Sequence, residues 1–247
     1  MDIRKYLDST YLKTPAQSGL SEDETLEKVM ALTKEAVDNH LFAVMIRPEY
    51  VAKVRAYLDA EGSSVKLGTV IGFHEGTAST DEKWAEAAEA IKAGADELDF
   101  VINYQAFIEE DLDLVKQEFL ACTRLCIEHG KVAKWIIEIA ALTDGQIAAL
   151  TGGIAKWAGE NFTDEEQSKI FVKSSTGFYK TEDGKPNGAT PEGIRIMLDN
   201  SGKLPVKAAG GVRTPEEAEQ MITMGVQRIG TSSAMALVRN DEVQDGY

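Results

Sequence analysis

Ile170-Phe171-Val172-Lys173-Ser174-Ser175-Thr176-Gly177 is the stretch from which the architecture can be read. Three β-prone apolar side chains run into a lysine, and small polar residues and a glycine end the run. It is too short for a buried helix, so the first half reads as a strand whose last residue is a charge. Working outward, comparable runs recur on both sides. Leu41–Ile46, Val65–Ile71, Glu97–Ile102 and Val132–Ile139 precede it, and Pro205–Ala209 and Arg228–Gly230 follow it. A weaker run at Tyr6–Asp8 brings the expected strands to eight.

Helical stretches separate these runs. Ser21–Asn39 opens with Ser21 and Glu24 at capping-box spacing, and Leu26, Val29, Met30, Ala36 and Val37 share one face. Pro48–Ala60, Thr80–Ala93, Ile108–Glu128 and Thr143–Asn161 are further candidates. Thr190-Pro191 and Thr214-Pro215 each set a Thr N-cap before Pro at the first helical position, and Glu217 completes a capping box for the second. A short last helix is expected near Ser233. Strict strand–helix alternation predicts a parallel sheet, and eight strands in 247 residues predict a single (β/α)8 barrel over 1–247 with a short N-terminal extension. The competing doubly wound sheet usually has a Gly-rich loop after its first strand, and Ser9–Pro15 (STYLKTP) contains no glycine. The tail 240–247 (NDEVQDGY) is polar and is expected to be mobile.

Composition narrows the function classes. With 26 Lys+Arg against 41 Asp+Glu, the net charge is −15. Such a balance argues against nucleic acid and anionic membranes as general partners. No apolar run approaches the length of a membrane span, and the N-terminus carries charges where a secretion signal needs an apolar core. Cys122 and Cys126 lie four residues apart, which is neither a redox nor a zinc spacing, and they read as reduced thiols of a cytoplasmic protein. His40, His74 and His129 are scattered, so no metal site is expected, although His74 falls at a strand end where it could edge a substrate.

Charges inside strands are the informative anomaly. Lys66, Lys134, Lys173, Lys207 and Asp99 all fall within the apolar runs, and buried lysines are rare unless paired or functional. Lys173 ends its strand, at the barrel face where active sites form. Desolvation and a like charge would keep its amine neutral. Lys207, on the next strand, would supply that charge and remain cationic, leaving Lys173 as the nucleophile. Downstream, Gly210-Gly211-Val212-Arg213 and Gly230-Thr231-Ser232-Ser233 follow the seventh and eighth strands, where barrels frequently hold phosphate. Each could equally be a tight turn.

The strings VKSSTGF around Lys173, KAAGGVRT around Lys207 and DELDFVIN around Asp99 resemble those of deoxyribose-phosphate aldolases, and the resemblance runs from LDSTYLK to RIGTSS. It implies a class I, metal-independent lyase without organic cofactor. The expected reaction is reversible cleavage of 2-deoxy-D-ribose 5-phosphate to D-glyceraldehyde 3-phosphate and acetaldehyde. The resemblance casts Lys173 as the Schiff-base lysine, Lys207 as its tuning lysine and Asp99 as part of the proton relay. Lys134, Asp8 and Thr10 would line the pocket, the last two at the mouth of the first strand. Thr176, Gly177, Gly210, Gly211, Arg213, Gly230, Ser232 and Ser233 would form the substrate- and phosphate-binding region. Tyr247 could fold over the mouth and assist proton transfer. Three departures stand out. FYKTEDGKPNGAT is a longer loop than many relatives carry. Phe178 replaces a lysine of some relatives, leaving Lys180 and Lys185 as nearby cations. Met45 replaces a cysteine. A class I aldolase for another phosphorylated or keto-acid substrate, and a catalytically silent sugar-phosphate-binding barrel, stay open. A homo-oligomer, a dimer in the first instance, is expected.

Overall fold

A computed structural model of the chain describes residues 1–182 and 184–239. The tail 240–247, with Tyr247, lies outside the described residues. Eight parallel strands close into a barrel in chain order. They are β1 (Leu7–Thr10), β2 (Ala43–Ile46), β3 (Lys66–Ile71), β4 (Glu97–Val101), β5 (Val132–Ile136), β6 (Ile170–Lys173), β7 (Val206–Ala209) and β8 (Arg228–Thr231). The helices are α1 (Pro15–Ser18), α2 (Glu22–Asp38), α3 (Val51–Ala60), α4 (Thr80–Lys92), α5 (Tyr104–Ile108) and α6 (Leu112–Glu128). They continue as α7 (Asp144–Asn161), α8 (Asp164–Gln167), α9 (Pro191–Asn200), α10 (Pro215–Met224) and α11 (Ala234–Arg239). The N-terminal extension is one 3-10 turn, Ile3–Tyr6. No helix among the described residues is long and apolar enough to cross a membrane.

Local chemistry sets the helix starts. The capping boxes at Ser21–Glu24 and Thr214–Glu217 form as the spacing predicts, and Ser79, Thr143 and Thr163 cap their helices in the same way. The helix expected over Ile108–Glu128 is instead two. The chain breaks at Glu110, which has a φ of 65°, and Asp111 accepts from Leu114 N–H to start α6. Pro48–Ala60 begins as a 3-10 turn before α3, and α1 and α8 are short helices not anticipated.

Two faces of each strand serve two purposes. Outward side chains build the apolar layer against the helices. There Trp135 stacks on Phe100 at 4.8 Å, Phe119 leans on Trp135 at 5.4 Å, and the indole N–H donates to Thr123 Oγ1 at 2.9 Å. Cys122 and Cys126 are fully buried beside them, and burial pushes the Cys122 thiol up to about 12, so both are inert. Inward side chains follow from register, because paired residues of parallel strands face the same side. Asp8 pairs with Ala43 and Gly230, Gly68 with Glu97, Asp99 with Lys134, and Lys173 with both Ile136 and Lys207. Small residues at Ala43, Gly68, Ala209 and Gly230 make room for this charged interior. A Cβ on Gly68 would collide with Met45 Sδ, and one on Gly230 would lie 3.1 Å from Lys207 Cε.

Lys66 departs from the expectation. It is the first residue of β3, at the lower end of the barrel, and its side chain is exposed. A second buried pair lies outside the barrel, between the adjacent helices α4 and α6. Lys83 Nζ donates to Glu118 Oε2 at 2.6 Å, to Gly76 O at 2.7 Å and to Val101 O at 2.8 Å. Glu118 Oε1 accepts from Asn103 N–H at 2.9 Å. The pair thus ties down the loops that follow β3 and β4 at the barrel mouth.

Candidate active site

The interior charges form a column from floor to mouth. At the floor, Arg228 donates to Glu97 through Nη1 (3.0 Å) and Nη2 (2.9 Å), and to Asp8 through Nε (2.8 Å) and Nη2. The Phe42 ring covers the guanidinium from below at 3.6 Å. One layer up, Lys134 bridges Glu97 Oε2 at 2.7 Å and Asp99 Oδ1 at 2.8 Å. Lys207 bridges Asp8 Oδ2 at 2.6 Å and Asp99 Oδ2 at 2.8 Å. Lys173, last in β6 and nearest the mouth, has one carboxylate partner, Asp99 Oδ2, at 2.8 Å.

Counting charge identifies the odd member. Apart from exposed Lys66, the ionisable side chains directed inward from the described strands are three carboxylates (Asp8, Glu97, Asp99) and four cations (Lys134, Lys173, Lys207, Arg228). An unbalanced buried charge is costly, so the least compensated cation is the one that gives up its proton most readily. Lys134, Lys207 and Arg228 each touch two carboxylates, whereas Lys173 shares a single one with two other amines. Burial is the main force lowering the Lys173 amine, to about 8, with Lys207 and Lys134 adding to it and Asp99 opposing. Burial alone would raise Asp99. Lys134, Lys173 and Lys207 overcome it and hold its carboxyl well below the usual range. Asp8 likewise is brought to about 2 against its own burial, by Arg228, Lys207 and Lys134. Burial opposes the charge on Lys134, but Asp99 and Glu97 outweigh it and raise its amine.

The remaining expected residues divide. Asp8 lies below the mouth, in the floor, and Thr10, at the upper end of β1, donates its hydroxyl to Asp8 O at 2.9 Å. Lys134 is fully buried within the column rather than at the mouth. Gly210, Gly211, Arg213, Gly230, Ser232 and Ser233 line one recess, joined by Val212, Thr231 and Asn187. Gly210 and Gly211 have φ of 74° and 81°, a conformation available at low cost only to glycine. Asn187, unanticipated, comes from the long loop and donates to Gly177 O at 3.1 Å. The Thr176 hydroxyl is engaged internally, with Glu138 and with Phe178 N–H. Lys180 and Lys185 are exposed. Phe178 joins an aromatic wall, 5.1 Å from the Phe73 ring and stacked on His74 at 5.6 Å.

Sequence reasoning missed Arg228, Glu97 and Glu138. The first two were visible as charges at strand starts, beside the four lysines and Asp99 singled out from the strand runs. Glu138 is likewise a charge in an apolar run, Val132–Ile139, but that run reads as one continuous strand and hides the turn at Glu138. That strand ends at Ile136. Among the described residues, no group of three His, Cys, Asp or Glu side chains is placed to share a metal ion.

Comparison with known proteins agrees with this geometry. The model of the DeoC/LacD family of aldolases matches residues 6–241. The chain is 40% identical over 240 residues to the deoxyribose-phosphate aldolase of Thermococcus gammatolerans, covering 96% of each chain. It is 38% identical over 248 residues to that of Deinococcus radiodurans, covering 100% of each. The structure of the tetrameric deoxyribose phosphate aldolase from Aeropyrum pernix superposes with a TM-score of 0.77 at 29% identity, over 96% of this chain and 89% of that one. On the closed barrel, the charged column and these matches, the chain belongs to the DeoC/LacD aldolase family.

Proposed function

We propose that the protein catalyses the reversible retro-aldol cleavage of 2-deoxy-D-ribose 5-phosphate, through a Schiff base on Lys173. The observation that carries this reading is the single, shared counter-ion of Lys173 in an interior whose other cations are doubly paired. Such an amine sheds its proton near pH 8, well below an ordinary lysine, so a reactive neutral fraction is present near physiological pH, and only the neutral amine attacks a carbonyl. The names of the relatives above support the choice of substrate.

The steps follow from the residues. The Lys173 nitrogen adds to C1 of the open-chain aldehyde, and loss of water leaves an iminium. Removal of the C3 hydroxyl proton forms the C3 carbonyl and breaks the C2–C3 bond. The electron pair moves to C2 and quenches the iminium as an enamine, while glyceraldehyde 3-phosphate departs. Protonation at C2 and hydrolysis at C1 release acetaldehyde and restore the amine. We assign the proton traffic to Lys207 and water. Asp99, held ionised by three amines, orients Lys207 and offsets the iminium charge. Gly210, Gly211, Gly230, Ser232 and Ser233 would hold the phosphate, with Arg213 adding charge, so that remote binding energy positions the reacting carbons.

The test is turnover. Acetaldehyde release from deoxyribose 5-phosphate should exceed that from other aldol donors and persist in EDTA. No release from any donor would leave a sugar-phosphate-binding barrel, and inhibition by EDTA reversed by zinc would overturn the class I assignment. Borohydride with acetaldehyde should block Lys173, and a Lys173→Ala protein that is still trapped would overturn its role.

In this reading the enzyme works in the cytoplasm as a homodimer. Trp84 of α4 and Leu112 and Leu114 of α6 are exposed on the two adjacent helices and offer apolar area for self-association. Sedimentation velocity should give a dimer, and a monomer at micromolar concentration would overturn it.

A further inference from the structure

Directly above β5 the backbone does something costly. Glu138 adopts φ 55° and ψ 67°, a left-handed conformation that L side chains rarely take. The other non-glycine residues with positive φ, among those described, are His40 after α2 and Glu110 between α5 and α6. Glu138 is thus the one at the end of a barrel strand. Its neighbours are clamped: Ile137 N–H donates to Lys173 O at 3.0 Å and Ile139 N–H to Ser174 O at 2.9 Å. The turn therefore sits against the two residues that carry and follow the reactive amine.

The side chain is 1% exposed. Its Oε2 accepts from Thr176 N–H at 3.2 Å and from Thr176 Oγ1. Its Oε1 and Ser175 Oγ are buried side by side, and neither has a hydrogen-bond partner outside this pair. A buried carboxyl oxygen left with a single hydroxyl beside it is poorly compensated and calls for an explanation beyond packing. The ionisable groups that face this carboxyl are Lys173 from β6 and the Tyr104 phenol from α5.

We propose that Glu138 is a positioning residue for the aldol reaction, acting through Lys173: its carboxyl group fastens the Ser175–Thr176–Gly177 turn to the end of β5 and sets the charge on the neighbouring amine. This rests on the Schiff-base reading above. Burial raises the Glu138 carboxyl to about 7, with Thr176 and Lys173 opposing, so it changes charge in the range where Lys173 does. An ionised Glu138 favours the protonated, unreactive amine; a neutral Glu138 favours the free nucleophile. Removing the carboxylate while keeping an acceptor for Thr176 should therefore move the alkaline rise of imine formation to lower pH.

Glu138→Gln separates this from a purely structural role. The rate of borohydride trapping with acetaldehyde, followed against pH in the full chain, should rise at a pH lower by roughly half a unit or more. At a fixed pH below about 7, kcat for deoxyribose 5-phosphate should rise about threefold, the added fraction of free amine, with KM changed less than kcat because the turn is retained. Glu138→Asp, which keeps the charge, should retain the parental pH profile even where the shorter side chain lowers kcat. A Glu138→Gln protein whose trapping profile and kcat both match the parent would overturn the proposal, as would a Glu138→Asp protein that shifts in the same way as Glu138→Gln. Failure of the parent chain itself to trap acetaldehyde would overturn the Schiff-base reading, a distinct result.

Discussion

Lys173→Met should abolish turnover, by at least about 10⁴-fold, and should make the protein more stable at neutral pH. Loss of the nucleophile explains the first effect. The second follows from linkage. The Lys173 amine titrates at about 8 when folded, against an ordinary 10.5 when unfolded. Below about pH 8 the folded state carries the full cost of holding this group where its charged form is disfavoured. That cost is on the order of 3 kcal/mol for a shift of this size. Between about 8 and 10.5 the unfolded chain stays protonated while the folded one does not, and the cost fades. Methionine has similar length and no charge, and Asp99 keeps two amine partners in the variant. Urea denaturation of parent and variant should therefore differ by about 1–3 kcal/mol in favour of the variant at pH 7, with the gap closing by pH 10. A variant less stable than the parent at pH 7 would mean that Lys173 is a structural member of the column.

Asp99→Asn should do the reverse for stability. The carboxylate accepts from Lys134, Lys173 and Lys207, each at 2.8 Å. An amide of the same shape offers one acceptor and presents N–H donors to ammonium groups. Two carboxylates would then face three fixed cations in a buried interior. Breaking such a buried arrangement costs about 3–5 kcal/mol, read as a lower urea midpoint. The kinetic expectation is divided. Lys173 loses the carboxylate in direct contact with it, which favours its protonated form, so borohydride trapping at neutral pH should persist or quicken. Cleavage should fall about 10²–10⁴-fold, because the orientation of Lys207 and the counter-charge to the iminium are gone. Equal loss of trapping and cleavage would assign Asp99 to imine formation instead.

These outcomes depend on features with unequal visibility in the sequence. Helix starts were legible because a cap is written in four consecutive residues, as at Thr214–Glu217. The barrel was legible because its eight short runs repeat one local pattern. Lys173, Lys207 and Asp99 were legible as charges amid apolar neighbours. Lys66 shows the limit of that signal, for a lysine at the first position of a strand reaches water past the barrel floor. The meaning of Arg228 and Glu97 depends on strands 131 residues apart meeting across the barrel, which no local window contains. Glu138 is harder still. Its left-handed turn is stabilised by contacts to Lys173, Ser174 and Thr176, and nothing in its own neighbourhood of the chain, such as a glycine or asparagine, announces it.

The floor of Arg228, Asp8 and Glu97, with Phe42 beneath, makes the barrel a vessel with a single opening. Whatever enters at the mouth must also leave there, and in the proposed reaction the two-carbon fragment would stay tethered to Lys173, deeper than the phosphorylated one. The outer fragment therefore blocks the way for the water that frees the inner. Departure is sequential: the phosphorylated aldehyde goes first, water follows it in, and acetaldehyde leaves last. Run backwards, the same plug dictates that the small aldehyde loads first and waits, as the enamine, for its larger partner.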